Sequence, residues 1–477
     1  MLTISHFPQK ILLSVALFSS VAFAHIDVAH IANELPQGSS LGLIAKNLQT
    51  NEIITSHNAQ TFMLPASTQK VFTALGAKLA LGDSFQFSTA LLTNGKVQQN
   101  QLEGDLIVKF SGDPDLTSGQ LYNLLAQLKK QHIQKINGNL VLDTSVFIGH
   151  DRGLGWIWND LTMCFNSPPA AANIDNNCFY VDLDANVPVG ENVKINVPSH
   201  FPVQIFGQVK VVNNTEAPYC QLDAVVHDNN RYQIKGCIAR QSKAFGLSFA
   251  VQDPDAYAAA IIQRQLKQLG IQFNGQIQQP QQPQNGQILA EHKSKPLPEL
   301  LKKMMKKSDN QIADSLFRTI AYQTYKRPAS FQLGATALKH TLNKVGIQFG
   351  HSIIADGSGL SRHNLVDPQT MLQAVEYIVK NENTLKLMET FPIAGVDGTL
   401  SGRGGLIQAP LIKNISAKTG ALKGVYNLAG FMTNARGEKI AFIQFINGYS
   451  TGELESKTKR APLVQFEHKL YNAIYAE

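Results

Sequence analysis

The stretch Pro65-Ala66-Ser67-Thr68-Gln69-Lys70 leads into Val71, Phe72, Ala74, Leu75, Ala77, Leu79 and Leu81 before Gly82 ends the run. Pro65 and Ser67 are helix-entry residues and glycine is a helix stop, so the segment reads as one helix beginning near Ser67. Its apolar residues cover nearly every face. Such a helix is buried, and a domain has to be built round it. Residues three apart on a helix share a face, which makes Ser67 and Lys70 neighbours, with Ser67 at the partly positive N-terminus. A neutral amine at that place can accept the serine proton. The same S-x-x-K spacing also describes a capping serine followed by a solvated lysine, so further motifs have to decide.

The chain is 477 residues long, and single cores stop growing at roughly 250 to 300, so more than one domain is expected. With 44% hydrophobic and 16% charged residues it has the composition of a soluble globular protein. The net charge of +7 suits an anionic surface such as a membrane face or a wall polymer. The compact basic-aromatic pattern of a nucleic-acid binder is missing. Lys10 precedes the apolar run Ile11 to Phe18, and Ala22-Phe23-Ala24 supplies the small residues a signal peptidase reads, so residues 1–24 are expected to be a signal peptide cleaved after Ala24. No later stretch approaches the roughly 18 apolar residues of a membrane span.

Cys164, Cys178, Cys220 and Cys237 agree with an oxidising compartment. Of the connectivities open to four cysteines, Cys164 with Cys178 and Cys220 with Cys237 are favoured, because each closes a short loop within one substructure. Neither pair has C-x-x-C spacing and no histidine lies close by, so no metal site is expected.

Taken in order, residues 40 to 55 alternate into two strands about Gln49-Thr50-Asn51-Glu52. Gly38-Ser39-Ser40-Leu41-Gly42 matches the G-x-S-x-G nucleophile elbow, but that elbow needs a strand before it and a helix after it, and here a turn precedes and a strand follows. Past Gly82 come short strands at 104–110 and 139–143 with a helix near 118 to 130, an α+β pattern. Residues 188–245 are strand-rich and read as a nested, mostly β subdomain. Asp253-Pro254 opens a helix that ends at Gly270. The Gln/Pro-rich tract from Gln278 to Gly286 is an exposed connection, with a boundary near 290. Leu297 to Tyr325 is helical except at Ser308-Asp309-Asn310. Lys302, Lys303, Lys306 and Lys307 lie opposite Leu300, Leu301, Met304 and Met305, the pattern of a solvated helix face. A helix at about 367 to 380, strands at 428–433 and 440–446, and a helix at 458–475 complete the chain.

Ser67-x-x-Lys70, Ser308-Asp309-Asn310 and Lys418-Thr419-Gly420 stand in the chain order of the penicillin-interacting serine acyl transferases. On that pattern Ser67 is the acylated nucleophile, Lys70 its base, and Ser308 a proton shuttle towards the leaving amine. Asn310 bonds the substrate amide, and Lys418 and Thr419 bind the terminal carboxylate. Backbone N–H groups of Ser67 and Ala421 form the oxyanion hole.

Through Leu64 to Val71, Lys306 to Asn310 and Ala355-Asp356-Gly357-Ser358-Gly359-Leu360-Ser361-Arg362, the chain resembles the class C low-molecular-mass penicillin-binding proteins, the DD-carboxypeptidase/DD-endopeptidases typified by penicillin-binding protein 4. The likeness covers essentially the whole mature chain. It implies an α+β fold, a serine β-lactamase/DD-peptidase-like transpeptidase domain with two additional domains inserted between the S-x-x-K and S-x-N motifs. Ser67 and Ser308 are indeed separated by far more chain than one loop spans. The ranges expected are 25–85 and 290–477 for the peptidase domain, 86–187 and 246–289 for the α+β insert, and 188–245 for the nested subdomain.

The resemblance also implies a periplasmic enzyme that works without a cofactor. It trims D-alanine from peptidoglycan stem peptides, cleaves D-alanyl-diaminopimelate crosslinks and is acylated by β-lactams. Asp160 would pair with the distal amine of diaminopimelate, Phe165 would line the same pocket, and Arg362 would contact the distal polar groups of the peptide. Gly420 lies with Thr419 and Ala421 on the substrate-binding strand. The chain departs from the family at Lys423, where a glutamine is usual, which bears on substrate preference. Two other readings use part of the pattern. A serine β-lactamase shares the nucleophile and lysine motifs but needs a group to hold the deacylating water, and no matching glutamate can be placed. A non-catalytic wall-binding scaffold would not need the motifs intact.

Overall fold

A computed structural model describes residues 26–452 and 460–477; the expected signal peptide lies outside the described residues. The two ends of the chain build one antiparallel sheet in the order Ile415–Leu422, Val425–Thr433, Lys439–Asn447, Ser40–Asn47, Ile53–His57. Ser40–Asn47 pairs with Lys439–Asn447 along its whole length, from Ser40 opposite Asn447 to Asn47 opposite Ile440. Both faces of this sheet are covered, which explains its nearly unbroken apolar runs. Leu41, Leu43 and Ala45 join Ile440, Phe442 and Ile446 against Phe466, Leu470 and Ile474 of the C-terminal helix Ala461–Ala476. Ile44, Ala441, Ile443 and Phe445 face the opposite core, which holds the helices.

The helix Lys70–Leu81 runs through that second core, with Val71, Phe72, Ala74, Leu75 and Ala77 all buried. The helices Leu297–Lys307, Asn310–Tyr325, Phe331–Asn343 and Pro368–Lys380 pack around it. Gly76 permits a close approach to the helix Phe331–Asn343, since a Cβ there would lie 2.2 Å from Leu338 Cδ1. The helix stops at Gly82, whose φ of 76° is open to glycine. Its start differs from the sequence expectation. Ala66–Gln69 forms a 3₁₀ turn with Ala66 at φ +48°, and the α-helix begins only at Lys70. Gly38-Ser39-Ser40-Leu41-Gly42 leads from a turn straight into the first strand, so it is no nucleophile elbow.

Between Leu81 and Leu297 the chain builds further sheets. One has the order Ile277–Gln278, Leu140–Asp143, Leu106–Phe110, Ser88–Thr93, Gln287–Lys293. Gln287–Lys293 stays paired with Ser88–Thr93 to its last residue, so this sheet carries the chain past 290. The helix Pro254–Gln268 lies here, capped as expected by Asp253, which accepts from Ala256 N–H at 2.9 Å. Two three-stranded sheets make up the β-rich part, Gln204–Val212 with Arg231–Ala239 and Asp223–His227, and Lys194–Asn196 with Cys178–Asp184 and Phe245–Ala250. Phe179 holds them together, its ring 4.8 Å from Tyr232 and 5.6 Å from Phe249. Strand Cys178–Asp184 and most of Phe245–Ala250 thus work with residues 188–245 although they lie outside that range. Cys164 is bonded to Cys178 and Cys220 to Cys237, the favoured pairing. No described helix is long and apolar enough to cross a membrane.

Candidate active site

Ser67 stands half-buried on the Ala66–Gln69 turn, which is gripped from two sides. Asn427 donates its amide to Leu64 O at 2.8 Å and Pro65 O at 2.9 Å, and Asn447 Oδ1 accepts Leu64 N–H at 2.8 Å. On the other side Gly359, at φ +84°, lies so close that a Cβ would come within 1.8 Å of Ala66 O. A Cβ on Gly420 would lie 2.7 Å from Pro65 O, so the Ile415–Leu422 strand also reaches the turn. The unusual φ of Ala66 is therefore imposed by tertiary packing.

Lys70 is wholly buried, and its Nζ meets three oxygens: Ser67 Oγ at 2.9 Å, Asn310 Oδ1 at 2.6 Å and Ser358 O at 2.7 Å. Burial lowers its pKa to about 8, against the carboxylates of Asp314, Asp356 and Asp309, which pull it up. Asn310 reaches this point because Ser308, in the left-handed region at φ 59°, ends the helix Leu297–Lys307, and Asp309 caps the next one by accepting Ile312 N–H at 3.0 Å. The break expected at Ser308-Asp309-Asn310 thus turns three side chains in three directions. Asn310 also donates to Phe165 O at 2.8 Å, which ties the turn Cys164–Asn166 to the site.

Lys418, also wholly buried, donates to Ser308 Oγ at 2.9 Å and Thr419 O at 2.8 Å. Burial and the charge of Lys70 hold its pKa well below the ordinary lysine value. Thr419 and Gly420 follow on this edge strand, and Ala421 is exposed beyond them. Thr419 Oγ1 lies 2.8 Å from Thr399 Oγ1, a hydroxyl that the sequence reading did not single out. Thr399 sits on the turn Gly398–Leu400, beside Asp397, which is bonded by Lys306 at 2.7 and 2.8 Å. Lys306 is therefore half-buried and paired, and Lys303 binds Asp115, so only Lys302 and Lys307 of the four lysines form the expected solvated face.

Asp160 closes the turn Trp158–Asp160 and Phe165 stands 49% exposed on the turn Cys164–Asn166, anchored by the Cys164–Cys178 disulfide. Arg362 is half-buried, and its backbone N–H donates to Gly155 O at 2.9 Å. Burial lowers the Arg362 pKa, and the charge of Asp160 offsets part of that. Lys423 is exposed in the tight turn that follows Leu422.

The D-Ala-D-Ala carboxypeptidase 3 (S13) family matches residues 24–470. The chain belongs to that family. It is accordingly a hydrolase of the D-Ala-D-Ala carboxypeptidase kind, a penicillin-binding protein with the serine β-lactamase/DD-peptidase fold. Among curated proteins it is 74% identical over 464 residues to the D-alanyl-D-alanine carboxypeptidase DacB of Haemophilus influenzae, covering 97% of each chain. The crystal structure of penicillin binding protein 4 from Haemophilus influenzae superposes with a TM-score of 0.93 at 74% identity, covering 95% of this chain and 100% of that one. A second crystal structure of that protein, complexed with a β-lactam, gives a TM-score of 0.89 at 71% identity over 95% of this chain and 100% of the other.

For an S13 carboxypeptidase, the residues to which reading the motifs gave no role include those that hold the named ones. Asn427 holds the turn that carries Ser67, Ser358 offers its carbonyl to Lys70, and Asp356 accepts from Gly359 N, Ser361 N, Asn364 Nδ2 and Trp156 Nε1 at 2.7 to 2.9 Å. Asp314, one helical turn past Asn310, had a signal in the sequence: its i+4 spacing puts a carboxylate on the same helix face as the amide.

Proposed function

We propose that this protein is a periplasmic serine DD-carboxypeptidase and DD-endopeptidase. It releases terminal D-alanine from peptidoglycan stem peptides and cleaves D-alanyl-diaminopimelate crosslinks through an acyl-enzyme on Ser67. In this reading residues 25–85 and the chain beyond Lys293, where the strand paired with Ser88–Thr93 ends, are the peptidase domain, carrying the inserted α+β domain and its nested β subdomain. The relative's complex with a β-lactam supports acylation of Ser67 by penicillins.

The observation that carries the mechanism is the set of three oxygens around Lys70 Nζ. An ammonium has three N–H bonds, and a neutral amine has two and a lone pair. With two hydrogens kept on Asn310 Oδ1 and Ser358 O, the lone pair of the neutral amine points at Ser67 Oγ. Ser67 then attacks the carbonyl of the penultimate D-alanine as its proton passes to Lys70. The resulting oxyanion is held by the N–H groups of Ser67 and Ala421. As the C–N bond breaks, the leaving amine takes up the proton that Lys70 received, relayed by Ser308, which Lys418 orients, and Lys70 is neutral again. Water, giving its proton back through Lys70, hydrolyses the ester and restores Ser67. Lys418 and Thr419, with the neighbouring hydroxyl of Thr399, suit the terminal carboxylate, and Asp160, Phe165 and Arg362 suit the diaminopimelate side chain.

The test is release of D-alanine and cleavage of purified crosslinked muropeptides by Ser67→Ala, Lys70→Ala and the double variant. If the two residues act as one unit, each single change removes acylation as fully as both together. Unchanged cleavage by Ser67→Ala would leave a wall-binding scaffold as the reading to adopt. A penicillin adduct lost within seconds would point to a β-lactamase.

A further inference from the structure

Asp314 lies wholly buried on the helix Asn310–Tyr325, and none of the steps above uses it. Its Oδ1 accepts the backbone N–H of Gly357 at 2.8 Å and of Ser358 at 2.9 Å. The same Ser358 gives its carbonyl to Lys70 Nζ at 2.7 Å, and Gly357 O accepts the Thr73 hydroxyl, on the helix of Lys70, at 2.7 Å. The Gly357-Ser358 backbone is thus strung between two helices, with Asp314 as its attachment to one of them. It has no slack. A Cβ on Gly357 would lie 2.6 Å from Phe317 Cβ and 2.7 Å from Ala313 O.

We propose that Asp314 is a positioning residue for acyl transfer: by holding the Gly357 and Ser358 amides it fixes the Ser358 carbonyl on which Lys70 is oriented, and as an acid buried behind that carbonyl it acts on the Lys70 amine. The proposal rests on Lys70 being that base.

The other charges around Lys70 are committed elsewhere. Asp356, on the loop across from the helix, is engaged by four donors. Asp309 caps its own helix and lies 4.0 Å from Lys303. Arg318, one turn beyond Asp314, feels its carboxylate but lies 3.7 Å from Asp151. Lys418, on the strand, feels Lys70 as a like charge. Asp314 is the foremost of the carboxylates that raise Lys70, and its own pKa is pushed up to about 8, by burial first and then by Asp356. Asp314 therefore ionises over the same interval in which Lys70 gives up its proton; where it is ionised it makes Lys70 hold that proton more tightly, so removing the charge should free the amine at lower pH within that interval.

The experiment is the pH profile of acylation by a fluorescent penicillin and of D-alanine release from a D-Ala-D-Ala peptide, on the full chain. Asp314→Asn retains an Oδ1 for both amides and loses the charge. Its rising limb should move to lower pH. Asp314→Ala loses the acceptor too, and its rate should fall at every pH. A limb for Asp314→Asn that coincides with the unaltered enzyme would overturn the proposal, leaving Asp314 a fold residue. Should Asp314→Asn fail to fold, Asp314→Glu decides: with its charge kept, the limb should stay in place even where the rate falls, and a shifted limb would contradict the proposal. Lys70→Ala that still acylates would sink the base assignment itself, whatever Asp314 does.

Discussion

Lys418 Nζ lies 2.9 Å from Ser308 Oγ, though 110 positions separate the two residues. The contact joins the edge strand of the central sheet to the break between two helices, and it places a lysine of lowered pKa beside a hydroxyl. That is the arrangement a proton relay to a leaving amine needs. Ser308→Ala leaves the Lys70–Ser67 contact in place, so the nucleophile can still form. Acylation should fall by about a hundredfold or more, in the range of general acid–base contributions. Stopped-flow labelling with a fluorescent penicillin checks this, and a rate within a factor of two or so of the unaltered enzyme would remove Ser308 from the relay.

The pH dependence follows from Lys70. Only the neutral amine accepts the Ser67 proton, and burial lowers its pKa from the ordinary 10.5 to about 8. The acylation rate should therefore climb as pH rises through about 8 and level off above it. A rate constant followed across that interval tests the assignment. A profile still climbing steeply near 10.5, the ordinary lysine value, would show an amine that burial has not shifted.

Much of the site is legible in the chain because its chemistry is local. Ser67 and Lys70 declare themselves by spacing, and Ser308 and Asn310 by a polar break inside an apolar helix. What escapes is set by residues far off in sequence. The 3₁₀ turn under Ser67 depends on Gly359 and Gly420 pressing on Ala66 and Pro65, and no propensity of Ala66 foretells a positive φ. Lys303 and Lys306 read as solvated because their partners, Asp115 and Asp397, belong to distant loops. The strands Cys178–Asp184 and Phe245–Ala250 pair with each other, which draws both towards the β-rich part although composition alone separates them from it.

Gly359→Ala tests the grip on the turn that carries Ser67. At φ +84° and 1.8 Å from Ala66 O, a methyl group forces the loop or the turn to move. The change should cost about 1–3 kcal/mol of stability, read from the urea midpoint. It should slow acylation by penicillin and by peptide alike, because both meet the same displaced Ser67. Undiminished acylation would mean that the turn tolerates movement there.

Asp160 should behave in the opposite way and set substrate choice. Its proposed partner is an ammonium at the far end of the substrate side chain, and truncating one member of such a pair costs a few kcal/mol. Asp160→Ala should lower kcat/KM for diaminopimelate peptides by roughly ten- to a thousandfold. Penicillin lacks that amine, so its acylation rate should hardly change. An equal loss for both would assign Asp160 to the fold or to the catalytic groups.

The most direct measurement on the acyl-enzyme account is peptide mapping by mass spectrometry of the protein quenched after mixing with benzylpenicillin. The account predicts one adduct per chain, on the peptide that carries Ser67, persisting well beyond seconds and absent from Ser67→Ala. An adduct on another residue, or an equal adduct on Ser67→Ala, would contradict it.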